Sequence, residues 1–267
     1  MITVMLGLAI ALAQLLAALM ICFALEGAAQ SRIPIAARVS GSVIQALQTS
    51  LSLFLMIPLQ QAWSAVGLGP AVDLSRFPAL AGVIILFIFL DLLRYIEHRV
   101  QHRIWWPVHV VHHSTRELHA ASSFAHPLQA LTEFACISVP LSLVDFGSAA
   151  LPLWVGLATI FQALVIHSPI RSNFGPLQRL LVDPRYHRIH HSLESRHFDK
   201  NFGVIFSVWD QLFGTAYFPA RDEWPDTGVS DVQPSIRIGA YLSTPFRVIF
   251  TELKHKAAGI HSRADNL

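Results

Sequence analysis

The chain has 267 residues, 53% hydrophobic and 13% charged, with a formal net charge of +2. Soluble domains carry about 25% charged residues, so this composition points to a membrane protein. It also excludes a nucleic-acid binder, because the charge is small and no basic run is interleaved with aromatics. No glycine-rich phosphate loop or dinucleotide fingerprint is present. Cys22 and Cys136 lie in apolar stretches far from any histidine and read as packing residues, not as a disulfide or metal ligands.

A helix needs roughly 20 apolar residues to cross a hydrocarbon core. The first candidate is the charge-free run from Ile2 to Leu25. A cleaved signal peptide competes for it, but Met1-Ile2-Thr3 supplies no basic n-region and the run is long for an h-region. The second candidate lies in the charge-free stretch between Arg38 and Asp73, centred on Gln48 to Val66. The third starts near Pro78, runs through Val83 to Leu90 and continues without a breaker through Asp91, Arg94 and Glu97 to His98. Further along, Leu128 to Val144 and Ala150 to His167 form a predicted helical hairpin with Asp145 at its turn. Both a shallow spanning hairpin and a re-entrant one fit arms of that length.

The positive-inside rule orients these spans. With the N-terminus outside, Arg32 and Arg38 fall inside and Arg76 is the only one of the 19 Lys/Arg residues outside. The third helix then delivers His98 to the cytoplasmic side. The fold expected is all-α, an integral-membrane bundle of about four transmembrane helices beneath a cytosolic histidine-rich helical cap. Its divisions are residues 1–90 (N-terminal spans), 91–220 (the histidine-bearing region including the membrane hairpin at about 128–167) and 221–267 (a polar C-terminal segment). In that segment an amphipathic stretch begins at Thr244-Pro245, with Phe246, Ile249, Phe250 and Leu253 at helical spacing. It either packs on the cap or lies on the membrane surface. Residues Gly259 to Leu267 look frayed.

Of 14 histidines, eight fall into three clusters: His98 and His102; His109, His112 and His113; His187, His190 and His191. In each the first and last are four residues apart, a step that returns to the same helix face. Pro107 after Trp105-Trp106 opens the second cluster's helix, and Asp183-Pro184 caps the start of the third. Arg99 and Arg188 stand about 100° around from their neighbouring histidines, free to face lipid phosphates. A lone histidine on an apolar face is usually a hydrogen-bonded core residue. Three matched clusters converging are a different case, since burying eight unpartnered imidazoles would cost several kcal/mol in total. Imidazole suits Zn, Fe, Cu and Ni. Eight nitrogens exceed what one ion uses, and a structural or catalytic zinc needs only four or three. Two adjacent metals are expected, with open positions suited to O₂.

The order of these motifs is that of a known family. His98 to His102, then His109 to Ser114, a long apolar gap, Tyr186 to Ser192, Asp199-Lys-Asn201-Phe-Gly203 and Trp209-Asp210-Gln-Leu-Phe-Gly214-Thr215 resemble the membrane fatty acid hydroxylase / sterol desaturase superfamily across residues 85 to 220. The resemblance implies a four-helix transmembrane base, a cytosolic cap holding two iron ions per chain, O₂ as co-substrate and electrons from an external reductase or small redox protein. The substrate implied is a lipid whose C–H bond is hydroxylated or desaturated. It adds His126 and His167 as further ligands, although Phe124 and Pro169 stand where the family usually has arginine and asparagine. Asp199 and Asp210 are expected either as loop and cap residues or as acceptors of the second N–H of ligand imidazoles, and His197 as a neighbour of the same shell. His119, His255 and His261 fit no motif and are expected in solvent. Two rivals stand beside this reading: a zinc-dependent membrane hydrolase and a non-catalytic metal-binding membrane protein.

Overall fold

A computed structural model describes residues 2–147, 150–233 and 237–257, with the side chains of 2–4, 150–153 and 256–257 left aside. It is built of helices, with a single two-residue parallel strand pair among the described residues. Three helices are long and apolar enough to cross a membrane: α1 (Ile2–Ala28), α2 (Ile35–Val66) and α3 (Ala79–Ile104). Outward-facing Met5, Leu16, Val43, Phe54 and Ile84 remain exposed on them, as a lipid solvent requires. A shorter apolar helix, α7 (Ala150–Ile166), is the fourth.

The second helix is longer than its predicted centre. It starts right after Pro34, carries Pro58 inside and stops where Gly67 adopts φ 76°, a left-handed C-cap that glycine takes at little cost. The third runs as one piece through Asp91, Arg94 and Glu97 to Ile104, so His98 and His102 ride on a membrane-spanning helix. At 1.5 Å per residue, Ala79 and His98 are about 29 Å apart, close to one hydrocarbon thickness.

α3 is followed after Trp105 by α4 (Trp106–His113), with Pro107 in its first turn. The hairpin's first arm is not one regular helix. It comprises α5 (Ala130–Glu133), a π-helical turn at Phe134–Ser138 and α6 (Val139–Ser142). Pro140 is the local cause: with no N–H it cannot close the ordinary ladder, and the wider turn before it absorbs the mismatch. At the hairpin tip β2 (Val144–Asp145) pairs in parallel with β1 (Val72–Asp73), joining the α2–α3 connection to the hairpin. Both lie at the far end of α3 from its histidines.

The opposite end holds the α1–α2 turn and the cap. Leu19 and Cys22 of α1 pack on Ala120, Ala121 and Leu164, while Ile44 of α2 packs on Val111, Phe124 and Tyr241. Glu26, fully buried, pairs with Arg38 at 3.0 Å and accepts from the Ala120 N–H at 2.7 Å. α8 (Pro184–His190) is capped by Asp183, which accepts from the Tyr186 N–H at 2.8 Å. α9 (Val208–Leu212) follows. α10 (Ile238–Ala257) begins six residues before the predicted start, with Pro245 inside it. Its first turns are docked through Tyr241, whose hydroxyl donates to the Ala125 carbonyl, so packing outweighs the proline there. Beyond them Phe246, Ile249, Phe250 and Leu253 are exposed. The residues expected to fray, from 259 onward, lie outside the described residues.

Candidate metal centre

α3, α4, α7 and α8 end at one place, and their histidines meet there. Two groups form: His98, His102, His109, His113 and His190; and His112, His167, His187 and His191. All nine are buried, and within each group one ring nitrogen of every residue lies within 4.8 Å of the others. The i, i+4 pairs stay together, as helix geometry demands. His112 and His190 cross to the group opposite their own cluster's pair.

The hydrogen bonds decide which nitrogen is available. A carbonyl can only accept, so a ring nitrogen facing one carries the proton and leaves the other nitrogen's lone pair free. His98 Nδ1 donates to Phe202 O at 2.9 Å, His112 Nδ1 to Phe124 O at 3.0 Å and His190 Nδ1 to Lys200 O at 2.8 Å. His167 Nδ1 donates to Ala163 O at 2.6 Å, and His109 Nδ1 to the Gln129 side-chain oxygen at 3.2 Å. In every case Nε2 remains. The Nε2 atoms of His98, His109 and His190 are buried without a protein partner, as are both nitrogens of His191. Those of His102 and His113 stand 3.0 Å apart; His167 Nε2 is 3.1 Å from both His112 Nε2 and His187 Nε2. Two nitrogens bound at about 2.1 Å and roughly 90° apart on one ion would be about 3 Å from each other. The donor set therefore fits two metal ions.

Burial holds the pKa of His112 down to about 4 and those of His109, His113, His187, His190 and His191 well below the usual range. These rings are neutral at pH 7, the form that binds metal. A cavity of about 20 Å³, room for roughly one water, adjoins the five-histidine group and is lined by His102, His113, Trp106, Ser192, Phe198 and Asp199.

His126, His119, His197 and Arg188 stand elsewhere than expected. His126 lies outside both groups: its Nδ1 accepts from the Leu128 N–H and its Nε2 donates to Leu242 O, so no lone pair is left for a metal. His119 is buried, not solvated; burial and the nearby Arg38 guanidinium hold its pKa down to about 4. His197 is also buried, between Ser192 Oγ at 2.8 Å and Glu223 at 3.1 Å, and touches no member of either group through them. Asp199 sits 3.5 Å from His102 Nδ1, at the long limit of an ion pair. Asp210 accepts from backbone amides and Thr215, the structural alternative of its two expected roles. Arg188 stacks on Trp224 and donates to Pro225 O, instead of facing lipid phosphates. Both cysteines are free and His255 is exposed, while His261 lies outside the described residues. Sequence reasoning missed the carbonyl acceptors, which leave no side-chain signal, and Gln129, whose spacing matches no motif.

These features define a helical membrane protein with a polyhistidine centre at the end of its spans. The fatty acid hydroxylase family model matches residues 83–215, and through this segment the chain belongs to that family. It is similar to an ornithine lipid hydroxylase of Rhizobium tropici, 31% identical over 161 residues (58% of this chain, 48% of that protein). It is also similar to the alkylglycerol monooxygenase of Homo sapiens, 33% over 141 residues (51% and 30%). A third relative, methylsterol monooxygenase 1 of Gallus gallus, is 28% identical over 131 residues (47% and 42%). The chain thus spans about half or less of the length of these relatives. No solved structure matches it significantly.

Proposed function

We propose that the protein is a membrane-bound, O₂-dependent oxidoreductase with two irons, which hydroxylates or desaturates a C–H bond of a lipid. One observation carries this reading: nine buried imidazoles in two groups, at least four of them with the proton fixed on Nδ1 by a carbonyl, at the mouth of membrane-spanning helices. His98, His102, His109, His113 and His190 would hold one ion, and His112, His167, His187 and His191 the other. When bound, the metals supply O₂ activation and the power to break an unactivated C–H bond. The chain's own residues do the rest. Backbone carbonyls keep Nε2 of His98, His112, His167 and His190 unprotonated and aimed, and burial excludes bulk water from both groups. The relatives' names, ornithine lipid, alkylglycerol and methylsterol, support a lipid substrate entering from the bilayer.

Hydroxylation consumes O₂, two electrons and two protons per alcohol and water formed; the electrons come from an external reductase or small redox protein. In this reading residues 1–90 anchor the chain, 91–220 carry the catalysis and 221–267 close the cap. The site faces the cytoplasm of a bacterial inner membrane, in keeping with Arg32 and Arg38 lying at the same end as the histidines. Purified protein loaded with iron and given a reductant and membrane lipids should yield a hydroxylated or unsaturated product only with O₂, seen by mass spectrometry. Turnover without O₂ or reductant, with one tight zinc per chain, would establish the hydrolase instead. Metal binding with no turnover would leave a metal-binding protein.

A further inference from the structure

Three rings of the five-histidine group and two of the four-histidine group take their hydrogen-bond or ion-pair partners from different parts of the chain. In the first, His98 donates to Phe202 O, His190 to Lys200 O, and His102 lies 3.5 Å from Asp199. All three partners belong to the loop 199–206. In the second, His112 donates to Phe124 O and His167 to Ala163 O of its own helix. The loop contributes no partner to His112 or His167.

That loop is not held by regular structure. Asp199 and Asn201 have φ values of 56° and 60°, the left-handed region that Asp and Asn enter more readily than other non-glycine residues. Asn201, fully buried, donates to Tyr186 O and Tyr217 O and accepts from the Tyr217 N–H, all within 2.9 Å. Two buried carboxylates then fix the amides that flank the Phe202 carbonyl and those of the turn that follows it. Asp210 accepts from Phe202 N–H at 2.8 Å, Gly203 N–H at 2.9 Å and Thr215 Oγ1 at 2.7 Å. A Cβ on Gly203 would lie 2.6 Å from Phe206 O, so the turn closes on itself only with glycine. Asp91 of α3 accepts from Ile205 N–H and Phe206 N–H at 3.0 Å and from Trp209 Nε1 at 2.9 Å. Asp91 precedes His98 by two helical turns, on the same side of α3. One helix therefore carries both a ligand and an anchor of the loop whose Phe202 carbonyl orients it.

We propose that Asp210 and Asp91 are positioning residues which, through the backbone of 199–206, aim His98 and His190 and so control occupancy of the five-histidine group without controlling the four-histidine one. The inference rests on the dinuclear reading above. Replacing either carboxylate by its carboxamide puts a donor against an amide N–H. The loop must shift, and Phe202 O and Lys200 O shift with it. Loss of such outer hydrogen bonds weakens metal affinity about 10- to 100-fold.

The test titrates the purified full chain with cobalt(II), following visible absorption and metal retained per chain after desalting. His98→Ala and His187→Ala supply the reference spectra of each group lost alone. Asp183→Asn is the contrasting carboxylate, because Asp183 caps α8, which carries ligands of both groups. The wild type is expected to take up two ions. Asp210→Asn and Asp91→Asn should keep the four-histidine ion at wild-type affinity and weaken the other at least about 10-fold, giving the His98→Ala spectrum. Asp183→Asn should weaken both. If Asp210→Asn fails to fold, Asp91→Asn, which reaches the loop from its other end, carries the test. Both ions retained at wild-type affinity in the two carboxamide variants, or lost in parallel as in Asp183→Asn, would overturn the proposal. A wild-type chain that binds no cobalt overturns the dinuclear reading, and this inference with it.

Discussion

Gly41 of α2 crosses the turn Ala120–Ser122 at close range to its backbone. A Cβ built there would lie 2.4 Å from Ala121 O and 2.9 Å from its carbonyl carbon. Even a close C–H···O contact keeps about 3.3 Å, so Gly41→Ala forces helix and turn apart by about 0.9 Å. The obstacle is backbone, which cannot swing aside as a side chain would. Overpacking of this kind costs about 1–3 kcal/mol, against about 1 kcal/mol gained from replacing a helical glycine by alanine. With backbone as the obstacle the steric term wins, leaving a net loss of up to about 2 kcal/mol. The displaced turn also carries the Ala120 N–H bonded to Glu26 and leads into Phe124, whose carbonyl orients His112. Gly82→Ala in α3 is the matched comparison: its new methyl meets no heavy atom within 4 Å, so only the propensity gain remains. Denaturation of both variants in the same detergent, each against wild type, reads the difference. A Gly41→Ala midpoint equal to or above that of Gly82→Ala would refute the contact argument.

Arg38→Ala should destabilise the protein by about 3–5 kcal/mol, because it strands the fully buried Glu26 carboxylate; adding Glu26→Gln should recover part of that loss in the same unfolding assay. His126→Ala should retain both metals while His109→Ala loses one, measured as metal per chain by elemental analysis. The metal-free protein should lose stability on acidification. His112 and His119 take up protons below about 6.5 when unfolded but only below about 4 when folded. Their contribution is therefore present above pH 6.5 and lost between 6.5 and 4, roughly 3 kcal/mol per ring. A thermal midpoint flat over that range would contradict their burial as neutral groups.

Particular residues show how far the chain could be read in one dimension. The run from Val83 to His98 announced a helix that leaves the membrane carrying histidines, because no glycine or proline interrupts it. Asp183-Pro184 announced the start of α8 through cap chemistry that is entirely local. His119 and His126 misled for the opposite reason. Neither belongs to a periodic cluster; His119 is buried near Arg38 and His126 bonds to the Leu242 carbonyl, 81 and 116 residues away. Arg188 was drawn to Trp224 and Pro225 by a loop with no periodic signal.

Helical spacing alone settled that His98 with His102, His109 with His113, and His187 with His191 must act as pairs, since a step of four residues turns the helix by only about 40° past a full circle. It also forced adjacent His112 and His113 apart, because neighbouring residues diverge by about 100°. Which foreign pair His112 and His190 would join, and that His167 would complete the smaller group, came only from how α3, α4, α7 and α8 are rotated and packed against one another. That rotation is set by contacts among segments distant in the chain, and no local pattern encodes it.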